Sequence, residues 1–288
     1  MSTEAAFIEA LRALATHPAA RGLTDDCAVL EFGGEALVLT HDAMAEGVHY
    51  LPGQDAADIA WKLVATNLSD LAAKGAQPLG VLLGYRFGGD DARFVQGLRE
   101  VLEHYHVPLL GGDTIGGAGS QVLGLTALGR ATHRPVPARS GARAGDELYL
   151  TGPVGAAMMG FEALRTGGGD SAAYRRPAPL LAAGQALAPL VTAMMDVSDG
   201  LLLDAARMAE ASGVTFALDR MAVPIAAPEQ RRDDALRWGD DYQLLFCVPA
   251  GTPLPVAAHR IGEALPRAAT PLLLDGAAPS GTLGYQHG

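Results

Sequence analysis

Six aspartate-bearing motifs, most of them at the end of an apolar run, hold the chemistry this chain could do. They read Thr24-Asp25-Asp26, Thr40-His41-Asp42, Asn67-Leu68-Ser69-Asp70, Gly111-Gly112-Asp113-Thr114, Asp196-Val197-Ser198-Asp199-Gly200 and Gly239-Asp240-Asp241. Carboxylates with hydroxyl and amide oxygens beside them suit hard divalent cations. Mg²⁺ in particular takes oxygen ligands and usually holds substrate phosphates as well. Phosphoryl transfer is the chemistry implied. The chain has no Gly-x-x-x-x-Gly-Lys-Ser/Thr loop, and its only lysines are Lys62 and Lys74. Phosphate handling would therefore rest on metals, arginine and backbone amides rather than on a cradling lysine.

These motifs need elements to carry them. Ala36 to Thr40 reads as a short strand that delivers His41 and Asp42 at its end. Asp55 to Ala73 reads as a largely buried helix, capped by Asp55 or Asp58 and ended by Gly75 and Pro78. Asn67 and Asp70, three apart, share one of its faces. A buried carboxylate there needs a cation or a donor, and Lys74 is the bland candidate. Strands are expected at Gly80 to Phe87, Gln121 to Gly129, Glu147 to Thr151, Val214 to Leu218 and Gln243 to Val248. Helices are expected at Asp91 to Tyr105, Gly155 to Leu164, Leu180 to Leu190 and Leu201 to Ser212. The glycine pair Gly111-Gly112 reads either as backbone free to approach a phosphate or as an ordinary turn. Asp199 or Ser198 reads as the cap of the helix from Leu201, whose free amides attract phosphate. The tail from Pro266 reads as a surface wrap.

Strands and helices alternate in both halves, so the fold class is α/β with two domains. The boundary is placed in the Pro- and Gly-rich stretch that carries Arg130, Arg134, Arg139 and Arg143, giving domains 1–138 and 139–288. Those arginines read either as a solvated linker or as counter-charge for phosphates. A length of 288 residues with 49% apolar residues supports a substantial core. A formal charge of −11 argues against a nucleic-acid partner. Two isolated cysteines, Cys27 and Cys247, argue against a disulfide framework and for a reducing, cytoplasmic setting. No apolar run long enough to span a membrane and no signal peptide is read in the sequence.

The ordered set resembles the thiamine-monophosphate kinase family, within the superfamily of aminoimidazole ribonucleotide synthetase. The stretches that carry the resemblance include Asp25-Asp26-Cys27-Ala28-Val29-Leu30, Glu46-Gly47-Val48-His49, Trp61-Lys62, Arg139-Ser140-Gly141, Gly145-Asp146 and Gly239-Asp240-Asp241-Tyr242, besides the motifs above. The resemblance implies that Asp25, Thr40, His41, Asp42, Asp70, Asp113, Asp196 and Asp199 hold several Mg²⁺ ions. It implies that Gly112, Asp113, Arg139 and Ser198 touch ATP, and that His49, Asp240 and Tyr285 face thiamine phosphate. It further implies a homodimer paired through a mixed N-terminal sheet, with a larger helix-flanked sheet in the C-terminal domain.

Three departures stand out. The family often has Glu at Asp240 and Thr at His41. It also often has Arg just after Gly-Gly-Asp-Thr, where this chain runs Ile115-Gly116-Gly117; Arg175 or Arg176 could stand in. The expected reaction is direct transfer of the ATP γ-phosphoryl group to thiamine phosphate, with no general base. The rivals are another ATP-dependent reaction of the superfamily, such as ring closure on a ribonucleotide, and a non-catalytic Mg-nucleotide binding protein.

Overall fold

The computed structural model describes residues 4–286. A short helix α1 (Glu4–Arg12) precedes a five-stranded mixed sheet. Its strands are β1 (Ala28–Phe32), β2 (Glu35–Ala45), β3 (Ala76–Arg86), β4 (Leu109–Ile115) and β5 (Val122–Ala131). Their order across the sheet is β1-β2-β5-β3-β4. Only β3 and β4 run parallel, and the other neighbours are antiparallel. Helices α2 (Ala56–Ala73) and α3 (Asp91–Tyr105) lie on this sheet. Alternation along β2 turns Ala36, Val38 and Thr40 inward against α2, whose Leu63, Val64, Leu68 and Leu71 are fully buried.

The second sheet has six strands. They are β6 (Asp146–Leu150), β7 (Ala193–Asp196), β8 (Thr215–Leu218), β9 (Leu244–Pro249), β10 (His259–Leu265) and β11 (Leu272–Leu274). Their order is β11-β8-β10-β6-β9-β7, with only β11 and β8 parallel. The helices of this half are α4 (Ala156–Thr166), α5 (Ala172–Arg175), α6 (Leu181–Leu187), α7 (Leu201–Ser212) and α8 (Arg232–Arg237). One core lies between the sheet and α7, around Leu148, Met195, Leu202 and Phe216. On the other side Phe246, Met194 and Leu187 meet Ala72 and Ala73 from the end of α2. Helix α2 thus belongs to both halves. Its approach to α6 is so close that a Cβ on Gly184 would fall 1.9 Å from the Ala72 carbonyl oxygen.

The α/β class holds. Four readings differ from the sequence expectation, the first being that Gly200, with no side-chain cap bond, and not Ser198 or Asp199, is the N-cap of α7. Strand β2 continues to Ala45, so Asp42 sits within a strand rather than at its end. Gly111-Gly112-Asp113-Thr114 is the middle of strand β4, not a turn, because it pairs with Leu82 to Tyr85 of β3. A Cβ on Gly112 would meet the Leu83 carbonyl oxygen at 1.9 Å, so the glycine serves strand packing. The tail from Pro266 is not wholly a wrap, since Leu272 is buried and β11 completes the second sheet.

Candidate active site

Four elements converge on one group of carboxylates. The buried face of α2 presents Asn67 and Asp70. Beside it β2 presents Thr40 and Asp42, the end of β7 presents Asp196, and the turn before β1 presents Asp25 and Asp26. Thr40 Oγ1 donates to Asp70 Oδ2. Ser69 Oγ donates to Asp196 Oδ2 at 2.5 Å. Asn67 accepts the Asp42 N–H at 3.1 Å and donates to the Leu63 carbonyl at 2.9 Å, which locks α2 to β2. One carboxylate oxygen from each of Asp26, Asp70 and Asp196 lies within 4.8 Å of the other two.

Three acids packed this closely cannot all be charged cheaply. Burial, then repulsion by Asp42 and Asp196, drives the Asp70 carboxyl well above the usual range. Burial, then the Asp26 charge, pushes Asp196 up to about 8. Burial pushes Asp42 up to about 6 against the opposing charge of His41. Asp26 goes the other way. Burial would raise it, but Arg139 and Lys74 together outweigh that and hold it low. Arg139 Nε and Nη2 lie 2.7 and 2.6 Å from Asp26 Oδ1. Lys74, fully buried, pairs with both Asp25 and Asp26. Asp26 Oδ2 is buried, and the Lys74 ammonium lies 2.5 Å from it.

A cleft of about 700 Å³ runs from this group between the two sheets. Ser198 and Asp199 line it at the start of α7, where Asp204 of the first turn accepts their backbone N–H groups at 3.1 and 2.9 Å. Arg207 pairs with both Asp199 and Asp204. At the other end Phe161, Tyr174 and Trp238 form an aromatic wall, with ring centroids 5.2 to 5.3 Å apart around Phe161. Lys62, 1% exposed, reaches Asp240 Oδ2 at 2.8 Å and the His49 carbonyl at 3.0 Å, and lies 3.8 Å over the Tyr174 ring. The Tyr242 hydroxyl donates to Asp240 Oδ1 at 2.9 Å. His49 Nδ1 accepts the Ala45 N–H at 3.1 Å. The chain returns at Tyr285, whose N–H donates to the Asp199 carbonyl at 2.8 Å.

Of the residues singled out in the sequence, Asp25, Asp42, Asp70, Asp196 and Asp199 share the cleft with Arg139 and Ser198, and with His49, Asp240 and Tyr285. Thr40 stands directly behind Asp70. Three do not meet there. The His41 imidazole lies on the opposite face of β2, bonded to Thr126 Oγ1 at 2.8 Å, because strand alternation turns it away from Asp42. Only its backbone is left to the site. Gly112 and Asp113 lie on β4, at the exposed edge of the first sheet and away from the cleft of their own chain.

Arg175 and Arg176 cannot replace the arginine missing after Thr114, since both are tied to Asp58. Of the junction arginines, Arg130 and Arg134 pair with Glu35 and Glu31 on the surface, and Arg139 lines the cleft. The sequence reading missed Asp26 as the member of its pair that faces Asp70 and Asp196, missed Lys62, Asp204 and Arg207, and offered Lys74 to Asp70 where the structure pairs it with Asp25 and Asp26. Two lysines, Lys62 within the apolar surroundings of α2 and Lys74 at its C-cap, were the available signal, because a buried ammonium requires a carboxylate.

Comparison with known proteins adds an independent line. Residues 24–131 match the family model AIR synthase related protein, N-terminal domain, and residues 143–265 match AIR synthase related protein, C-terminal domain. The chain is 38% identical over 253 residues to the thiamine-monophosphate kinase of Caulobacter vibrioides, covering 80% of this chain and 72% of that one. It is 36% identical over 254 residues to that of Salmonella typhimurium, covering 79% and 76%. Its fold matches a solved structure of AaThiL complexed with AMPPCP and TMP with a TM-score of 0.89, at 25% identity over 99% of this chain and 97% of that one.

Proposed function

Since the chain belongs to the thiamine-monophosphate kinase family and is a kinase, we propose that it transfers the γ-phosphoryl group of ATP to the phosphate of thiamine phosphate. The bond from the γ-phosphorus to its bridging oxygen breaks and leaves ADP. A bond forms from that phosphorus to an oxygen of the acceptor phosphate and gives thiamine diphosphate. The observation that carries this reading is the cleft itself, with crowded carboxylates at one end and an aromatic wall beside a paired Asp240 at the other.

The residues at the first end fit Mg²⁺. Their donors are all hard oxygens, and three carboxylates lie within 4.8 Å of one another. Asp26, Asp42, Asp70 and Asp196 would hold the ions, with Asp25 and Asp199 at the margins. Bound there, Mg²⁺ would neutralise the negative charge of two phosphate esters that otherwise repel each other. The chain's own residues do the rest. Arg139 and the Ser198 hydroxyl, which both line the cleft, receive nucleotide phosphate. Phe161, Tyr174 and Trp238 give a heteroaromatic acceptor a face to stack on, and Asp240, held by Lys62 and Tyr242, offers it a carboxylate. The attacking atom is a phosphate oxygen already deprotonated near neutral pH, so no side chain need act as base. Positioning and charge neutralisation, in line, would carry the rate.

We also propose a homodimer joined through the first sheet. Its edge strand β4 is exposed along its length, with Leu110 and Ile115 more than half exposed, and it carries Gly112 and Asp113. A second copy laid on this edge would cover that apolar surface and could receive Asp113 at its own cleft, so the site would be shared. The domain division at residue 138 and a cytoplasmic setting belong to the same reading. Among the described residues no helix is long and apolar enough to cross a membrane.

The test is whether ADP release from MgATP requires thiamine phosphate. Release that ignores thiamine phosphate, or that follows a ribonucleotide instead, would defeat the acceptor assignment.

A further inference from the structure

The segment after α4 does two jobs on its two sides. Its inner side is Tyr174, 3% exposed, whose hydroxyl donates to the His49 carbonyl at 3.1 Å and whose ring packs under Lys62 and against Phe161. This is the acceptor end of the cleft. Its outer side is Arg175, Arg176 and Pro177. Both guanidinium groups converge on Asp58, a 2% exposed carboxylate in the first turn of α2. Arg176 also lies 5.1 Å over the Trp61 ring and 3.2 Å from Glu100 of α3. Trp61 Nε1 donates to the Pro177 carbonyl at 3.1 Å. Upstream, Gly167, Gly168 and Gly169 form an exposed link; Gly167 and Gly169 are left-handed, and a Cβ on Gly167 or Gly168 would meet nothing. A short strap thus hangs from a pliant glycine link at one end and is bolted to the other half of the molecule at the other.

We propose that Asp58, with Arg175 and Arg176, is a positioning device for the acceptor. The clamp sets where Tyr174 stands and thereby the width of the aromatic wall, without touching substrate itself. The inference rests on the assignment of that wall to thiamine phosphate. Nothing in the clamp reaches the carboxylate group, so it predicts a one-sided effect. A helix of four residues that follows three glycines has little rigidity of its own, and the clamp supplies the geometric constraint that a binding wall needs.

The experiment compares the full-length protein with Asp58→Asn and with the double change Arg175→Gln plus Arg176→Gln, below the melting temperature of each. KM is measured separately for thiamine phosphate and for MgATP, and tryptic cleavage at Arg175 is followed in wild type and Asp58→Asn. Loss of a remote constraint of this kind should raise KM for thiamine phosphate by about tenfold or more, while KM for MgATP stays within about twofold. Cleavage at Arg175 should quicken in Asp58→Asn, and Arg176→Lys alone should retain most of the wild-type KM. Equal shifts in both KM values would show a merely structural role and overturn the proposal. So would faster cleavage with an unchanged KM for thiamine phosphate. If wild type shows no turnover that depends on thiamine phosphate, the acceptor assignment fails instead. Calorimetric binding of thiamine phosphate to wild type and Asp58→Asn then decides the clamp by itself, equal affinities overturning it.

Discussion

The carboxylate group makes an unusual prediction about stability: without metal, Asp196→Asn should make the protein more stable, not less. Asp196 is 2% exposed, and burial together with the Asp26 charge raises its carboxyl from 3.8 to about 8. The folded protein therefore holds this proton more tightly than the unfolded chain does. The resulting stability is fully present below about pH 4 and is lost as pH rises through about 8. Each unit of displacement is worth about 1.4 kcal/mol, so a displacement of about four units sets a ceiling near 6 kcal/mol above pH 8. The amide keeps an acceptor for Ser69 Oγ, which now donates at 2.5 Å, but a weaker one, and roughly half of the ceiling, about 3 kcal/mol, is the expected gain. At about 2 to 4 °C per kcal/mol for a large domain, Tm should rise by about 6 to 12 °C. The assay is thermal unfolding in EDTA at pH 5 and pH 8.5. The gain should be large at pH 8.5 and small at pH 5, and added Mg²⁺ should stabilise the wild type while leaving the variant unmoved. A variant less stable than wild type at pH 8.5, or a difference independent of pH, would refute the reasoning.

The other predictions use different parts of the molecule. Mg²⁺ affinity should climb as pH rises from about 6 to 8, because Asp42 and Asp196, displaced to about 6 and about 8, must release protons to bind it; calorimetry at pH 7 in two buffers of different ionisation enthalpy should detect that release, and its absence would remove these two carboxylates from the metal set. Asp42→Asn and Asp113→Asn should each lower turnover by roughly 10² to 10⁴. If the site is shared, mixing the two inactive variants should restore roughly a quarter of wild-type activity through hybrid dimers, whereas no recovery after confirmed subunit exchange would place both aspartates in one protomer's site. Gly184→Ala should cost about 2 to 4 kcal/mol in denaturant unfolding, because its Cβ would fall 1.9 Å from the backbone oxygen where α6 meets α2; a loss under 1 kcal/mol would mean that α6 shifts freely.

The sequence marked most of the cleft because its signals were local. Asn67 and Asp70 on an apolar helix, and Asp199 before the first turn of α7, each carry a constraint visible within a few residues. What it could not mark was which side of a strand or a pair faces the cleft. Asp25 and Asp26 are adjacent and both pair with the distant Lys74, and only the fold brings Asp26 rather than Asp25 within reach of both Asp70 and Asp196. His41 lies between Thr40 and Asp42 in sequence but across the sheet from them in space, a consequence of β2 running through to Ala45. Strand β4 escaped notice because its glycines look like a turn, and only pairing with β3 makes them a strand. The roles first sought in Arg175 and Arg176 failed for the same reason, since their partner Asp58 lies more than a hundred residues away in the chain.

The central claim is a direct transfer between two phosphates in this cleft, and labelled phosphate tests it most directly. The protein would be incubated with Mg²⁺, thiamine phosphate and ATP labelled at its γ-phosphorus, and the products resolved by chromatography. The account predicts one labelled thiamine diphosphate for each ADP, with the label in its terminal phosphate and no label retained on the protein. Label released as inorganic phosphate without thiamine diphosphate, or a turnover-competent phosphorylated protein, would contradict it.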